Sequence, residues 1–143
     1  MRKTTFNMIS DPVLASKLQT SNILLTQQRL SIARLLFSKL QHLSANQVFE
    51  QLSHNDNSPS QATAYNTLRL FLEKGLLSQV IMGPNKTFYD TNLSKHHHLY
   101  NTDTDTLKDV PINQIEISNL PELPPDTLFD SVDIIVRVRE SSQ

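Results

Sequence analysis

Three consecutive histidines, His96, His97 and His98, are the residues of this chain best placed to do chemistry. In an extended strand successive side chains face opposite ways, so His96 and His98 share one face and can chelate an ion together while His97 points elsewhere. The same run also suits a solvated polar strand with no ligand, and the histidines alone do not separate the two readings. The 143 residues contain no cysteine. That excludes disulfides, iron–sulfur clusters, thiolate zinc sites such as a structural four-cysteine zinc, and cysteine catalysis.

A second constellation lies earlier, in the segment SQATAYNTLRLF that starts at Ser60. Ala64, Leu68, Phe71 and Leu72 recur at helical spacing and form an apolar back, which leaves Gln61, Asn66 and Arg69 on the other side. Such a helix is equipped to enter a DNA major groove. Gln61 and Asn66 suit hydrogen bonds to bases, Thr63 and Tyr65 suit thymine methyls or phosphates, and Arg69 suits phosphate or guanine. Lys86, in a later turn, suits the DNA backbone, although each of these residues also suits plain hydration. Charge is consistent with two partners: the formal net charge of −1 divides into +4 for residues 1–91 and −5 for residues 92–143.

The elements that must carry these residues can be read from caps and periodicity. Ser10 and Pro12 open a short helix with Val13, Leu14 and Leu18 on one face, and Thr26 caps a second helix predicted to run to about Leu40. Ser44 with Gln47 forms a capping box for a third helix bearing Val48, Phe49 and Leu52. A polar loop from Ser53 to Pro59 leads to Ser60, the cap of the recognition-helix candidate, which Gly75 ends. Leu77–Ile81 and Thr87–Asp90 read as a hairpin around Gly83, Pro84 and Asn85. Further strands are expected at His96–Tyr100, Leu107–Val110, Gln114–Ser118 and Val132–Arg139, the last with Val132, Ile134, Val136 and Val138 on one apolar face. Helices followed by a hairpin make a winged helix-turn-helix.

The expected fold is therefore α+β: an N-terminal winged helix-turn-helix DNA-binding domain over residues 1–91 and a small C-terminal α/β dimerisation domain over residues 92–143. The apolar strand face needs cover, and a second copy of the chain would supply part of it, giving a homodimer. No apolar run approaches the roughly 20 residues of a membrane span. The opening MRKTTFNMISDP lacks the apolar core of a secretory signal, so the expected compartment is the cytoplasm.

In unbroken order, LTQQRLSIARLLF, HLSANQVFEQL, SPSQATAYNTLRLFLEKGLL and FYDTN before HHHLY resemble the ferric uptake regulator family of metal-responsive repressors. The resemblance runs from about Leu25 to Asp109. HHHLY without cysteines, with LPELPP and the closing VDIIVRVR, looks like the iron response regulator branch, in which the histidine cluster is associated with haem as well as metal. The resemblance implies a homodimeric transcription regulator, not an enzyme, that binds a palindromic double-stranded operator and controls iron-uptake and haem-biosynthesis genes. Its cofactor would be a divalent metal, manganese, iron or zinc, with haem as a further candidate.

The resemblance also implies a ligand set. A regulatory site at the hinge of the family maps to His42, Asp90, His96, His98 and Asp109, a mixed nitrogen and oxygen shell suited to those metals. A second family site maps to His97 and Glu116, but no histidine follows His98 to complete it, which leaves His97 for haem iron or for solvent. Asn101 and Thr104 stand where relatives carry the first cysteine pair of a structural zinc. Leu24 replaces a basic residue that reaches the minor groove, Asn66 an arginine and Ala64 a valine. Two other classes stay open at this stage: a metal- or haem-binding protein without sequence-specific DNA binding, and a histidine metalloenzyme, for which no H-E-x-x-H motif is present.

Overall fold

Side chains that flank each apolar run decide where the helices begin and end. The computed structural model describes residues 11–54 and 58–142, so the Ser10 cap and part of the loop after α3 lie outside the described residues. The chain divides into two compact units, Met1–Leu93 and Ser94–Gln143.

The first unit holds α1 (Asp11–Thr20), α2 (Gln27–Leu36), α3 (Ala45–Leu52) and α4 (Gln61–Glu73). The hydroxyl of Thr26 accepts the Arg29 backbone N–H at 3.1 Å, which satisfies one orphan donor of α2. At α3 the capping box is complete: Ser44 Oγ accepts from the Gln47 N–H at 3.1 Å, and Gln47 Oε1 accepts from the Ser44 N–H at 2.8 Å. Ser60 caps α4 in the same way, accepting the Thr63 N–H at 3.1 Å.

Helix α2 stops four residues short of the expected Leu40. Its last carbonyls are taken by side chains, since Ser38 donates to Leu35 at 2.9 Å and the Gln41 amide donates to Leu35 and Leu36 at 2.9 and 3.0 Å. Leu40, placed on the apolar face by periodicity, is instead 69% exposed. The early stop frees the chain to form β1 (His42–Leu43), a strand that the sequence pattern did not indicate.

At the end of α4, Gly75 adopts φ +78°. Leu76 donates its N–H to Phe71 and Gly75 donates to Leu72, the paired bonds of a Schellman turn. β2 (Ser78–Gly83) and β3 (Lys86–Asp90) then form the expected hairpin, with Asn85 supplying the positive φ. All three strands are antiparallel in the order β1-β3-β2. Leu14 and Leu18 of α1, Ile32 and Leu36 of α2, Val48 of α3, and Leu68 and Phe71 of α4 form a continuous buried core. Burial of that apolar area, more than helix propensity, holds these short helices in place.

The second unit is a sheet of β4 (His96–Asn101), β5 (Thr106–Pro111) and β6 (Ile135–Val138) in the order β5-β4-β6. β5 is antiparallel to β4 and β6 parallel to it. The strand expected at Gln114–Ser118 does not form: Ile112–Gln114 is a turn of 3₁₀ helix, and the residues after it have no ladder partner. Alternating hydrophobicity makes a strand only where a neighbour takes up the backbone groups. β6 is likewise shorter than the expected Val132–Arg139. Among the described residues of this unit, Tyr100 is the single buried hydrophobic side chain, whereas Val136, Val138, Leu120, Leu123, Phe129 and Leu128, the last at 94%, are exposed. No helix among the described residues is long and apolar enough to cross a membrane.

Candidate metal ligands and the candidate DNA-reading helix

In the first unit, the short β1–β3 ladder brings His42 opposite Asp90. His42 Nε2 lies 3.3 Å from Asp90 Oδ2, and Asp90 is completely buried. Thr91 fastens the pair, since its N–H donates to the Gln41 carbonyl at 3.0 Å and its hydroxyl accepts the Gln41 N–H at 2.9 Å. The other Asp90 oxygen accepts the Asn92 N–H at 2.9 Å. A buried carboxylate persists only with such partners, because removing a charge from water is costly.

In the second unit, His96, His98 and Asp109 offer one donor atom each, all within 4.8 Å of one another. Asp109 faces His98 across the β4–β5 ladder. Its Oδ1 lies 3.3 Å from His96 Nε2 and 3.9 Å from His98 Nε2, and the two rings meet edge to face with centroids 4.6 Å apart. His96 Nδ1 lies 2.6 Å from the Ser94 carbonyl. A carbonyl only accepts, so Nδ1 carries a proton, which leaves Nε2, beside Asp109, as the nitrogen that can ligate a metal, the usual outer support of a metal-binding imidazole. Two donors bound at about 2.0–2.2 Å to one ion, at bond angles of roughly 90–120°, stand about 3.0–3.6 Å apart. The closest donor pair of each unit has that spacing, so each set fits a borderline divalent metal.

His97 points to the opposite side of β4, as alternation requires, and faces neither solvent nor an open coordination position on Nδ1. It is 2% exposed, and Nδ1 accepts the backbone N–H of Ile134 at 3.2 Å. That bond continues the pairing of β6 onto β4, next to the His98 N–H that donates to the Ile134 carbonyl at 3.0 Å. Glu116 is exposed in the segment after the 3₁₀ turn. Nothing in the sequence around His97 signals its partner, which is 37 residues away.

On α4, Gln61, Tyr65, Asn66 and Arg69 are exposed while Ala64, Thr67, Leu68 and Phe71 are buried. Thr63 is half-buried, with its hydroxyl 3.0 Å from Ser60 Oγ. The Arg69 guanidinium carbon stands 5.8 Å from the centre of the Tyr65 ring, a cation–π distance that joins the two into one surface feature. Lys86 is exposed at the start of β3. Leu24 is 77% exposed, and its carbonyl accepts from Arg29 Nη1 at 2.6 Å.

Two residues outside the expected set also stand out. Tyr89, beside Asp90 on β3, is buried, and that burial raises its phenol above the ordinary range. Asn101 organises the β4–β5 turn: its Oδ1 accepts the N–H groups of Asp103 and Thr104 at 2.9 and 3.1 Å, and its amide donates to Glu140. A Y-D pair and an N-x-D-T turn were the available signals.

The profile of the ferric uptake regulator family matches residues 20–123. The peroxide-responsive repressor PerR of Staphylococcus aureus is 32% identical over 84 residues, 59% of this chain and 57% of that repressor's own length. The fold is similar to that of the ferric uptake regulator from Pseudomonas aeruginosa, solved with manganese, at a TM-score of 0.65 and 19% identity over 91% of this chain and 99% of that one. It is similar as well to the ferric uptake regulator Fur of Helicobacter pylori, described as having three functional metal-binding sites, at a TM-score of 0.66 and 13% identity over the whole of both chains.

Proposed function

Since the chain belongs to the ferric uptake regulator family, we propose that it is a metal-responsive transcription regulator of the iron- and haem-responsive type. The observation that carries this reading is the spacing of the two donor sets, His42 with Asp90 and His96 with His98 and Asp109. We propose that the five donors close on one divalent ion. That ion supplies a positive charge that two carboxylates and three imidazoles share, and manganese, ferrous iron and zinc all accept such a shell.

Gln61, Thr63, Tyr65, Asn66 and Arg69 of α4 read the operator in this proposal, with Lys86 of the hairpin on the phosphate backbone. A symmetric dimer presents two such helices to the half-sites of a palindrome. Support for the second copy is the exposed apolar surface of the second unit, where Val136 and Val138 of β6 lack cover. The ion changes DNA affinity only as far as it binds one arrangement of the two units better than another. Haem that takes His96 or His98 removes ligands from the ion, so iron sufficiency ends DNA binding. His97, with Nδ1 engaged by Ile134, is not the haem ligand in this reading. The protein acts in the cytoplasm as a regulator and catalyses no reaction.

The test is DNA binding of the full chain, titrated with and without manganese and with and without haem. Manganese is expected to strengthen binding to a palindromic duplex, haem to reverse that gain, and added salt to weaken binding steeply. Equal binding to every duplex, or a flat salt response, would refute the regulator. Replacing Tyr65 and Arg69 together with alanine abolishes specific binding and leaves the oligomeric state unchanged; survival of specific binding would show that another element reads the DNA.

A further inference from the structure

Strand β1 is two residues long, too short for its own ladder to fix its register. A slip of one residue would set Gln41 or Leu43 opposite Asp90 and turn the His42 imidazole to the other face of the sheet. The contact between His42 and Asp90 therefore needs a lock beyond the strand. The residue that supplies it follows Asp90 directly.

Continuing the β1–β3 register by one step sets Gln41 opposite Thr91. In a bonded antiparallel pair the two residues exchange both backbone bonds. Here one is an ordinary ladder bond, from the Thr91 N–H to the Gln41 carbonyl at 3.0 Å, and a side chain makes the other: the Gln41 N–H donates to Thr91 Oγ1 at 2.9 Å. The same hydroxyl turns its own proton toward the Lys39 and Gln41 carbonyls, at 3.1 and 3.3 Å. Gln41 is also held from behind, since its amide donates to the Leu35 and Leu36 carbonyls at the end of α2. Bonded and non-bonded pairs alternate along such a ladder, so a bonded pair at Gln41 and Thr91 makes His42 and Asp90 a non-bonded one, in which facing side chains come closest. The 3.3 Å separation of His42 Nε2 from Asp90 Oδ2 agrees with that geometry.

We propose that Thr91 is a positioning residue for the metal: its hydroxyl locks the register of β1 so that His42 and Asp90 face one ion together. This role rests on the metal-binding function proposed above. Ligands already held in place lose less freedom when they close on an ion, and the outer partners that hold them are worth about 10–100-fold in metal affinity. Valine keeps the branched shape and the strand preference of threonine, so Thr91→Val isolates the hydroxyl.

Manganese affinity of the full chain is measured by competition with a fluorescent chelator for the wild type, Thr91→Val, Thr91→Ser and Thr26→Ala. The last removes the cap of α2 and lowers the stability of the same unit without touching Thr91. Thr91→Val is expected to bind manganese about tenfold more weakly, while Thr91→Ser, which keeps the hydroxyl, and Thr26→Ala keep wild-type affinity. In the metal-free proteins, hydrogen exchange at the Gln41 amide should quicken in Thr91→Val and not in Thr91→Ser. Unchanged affinity of Thr91→Val, or unchanged exchange at Gln41 in that variant, overturns the role. So does an equal loss in Thr26→Ala, which traces the effect to general destabilisation, or in Thr91→Ser, which traces it to side-chain shape. Should the wild-type chain take up no stoichiometric manganese, the metal site itself falls, and the role of Thr91 with it.

Discussion

The imidazole of His42 stands 3.3 Å from a fully buried carboxylate, that of Asp90, across the two-residue ladder that joins β1 to β3. Both ends of the contact are fixed by backbone: Thr91 pins the chain before His42, and the Asn92 N–H holds the far oxygen of Asp90. The two strands therefore set the contact through their backbones.

Replacing His42 by alanine removes a hydrogen-bonding partner from Asp90 and opens a gap beside the strand. In the metal-free protein this should cost about 1–3 kcal/mol of stability, the range for depriving a buried polar group of a partner. Urea unfolding monitored by circular dichroism measures it. A variant as stable as the wild type would mean that solvent or another group serves Asp90 equally well.

For the second donor set the expected effect is on ligand uptake and not on folding. The double variant His96→Ala, His98→Ala should lose stoichiometric manganese or zinc in a competition titration while keeping its far-ultraviolet spectrum. In the wild type, uptake should weaken steadily as pH is lowered, since an imidazole nitrogen binds metal only when unprotonated. Undiminished uptake by the double variant would return the histidines to an ordinary strand.

Much of this arrangement was legible in the residues because it is governed by near neighbours. The Thr26, Ser44 and Ser60 caps and the opposed faces of His96 and His97 follow from spacing within a turn or a strand. Features set by distant partners were not. His97 Nδ1 is occupied by a backbone N–H from 37 residues away, and no local pattern announces it. Leu40 continued the periodicity of α2, but Ser38 and Gln41 ended the helix by taking its carbonyls. His42, Asp90 and Asp109 were indicated by family resemblance and not by spacing, because strand pairing is what brings each beside its partner.

Gly75 offers a test of conformation separated from packing. Its φ of +78° lies where a Cβ is disfavoured, yet a Cβ built there would meet no atom within 4 Å. Gly75→Ala should therefore cost only the backbone term, about 1–2 kcal/mol, and Gly75→Asn less, since asparagine tolerates that region. Thermal melting of the two variants measures both. A much larger loss would mean that the turn is also constrained by contacts.

Asn101 bears on how the second unit holds its last strand against the β4–β5 turn. Its side chain accepts two turn N–H groups and donates to Glu140, while the Thr102 N–H donates to the Val138 carbonyl at 2.9 Å and Asp103 accepts the Glu140 N–H at 2.8 Å. The turn and the end of β6 are thus joined through one side chain and its two successors. Asn101→Ala should release both, costing about 1–3 kcal/mol, with faster hydrogen exchange at the Thr104 and Glu140 amides and little change at the amides of α4. Asn101→Asp retains the acceptor oxygen but sets a negative charge against Glu140, so it should preserve the turn and loosen only the strand end. Exchange that accelerates equally across both units in Asn101→Ala would show global destabilisation and refute the local fastening.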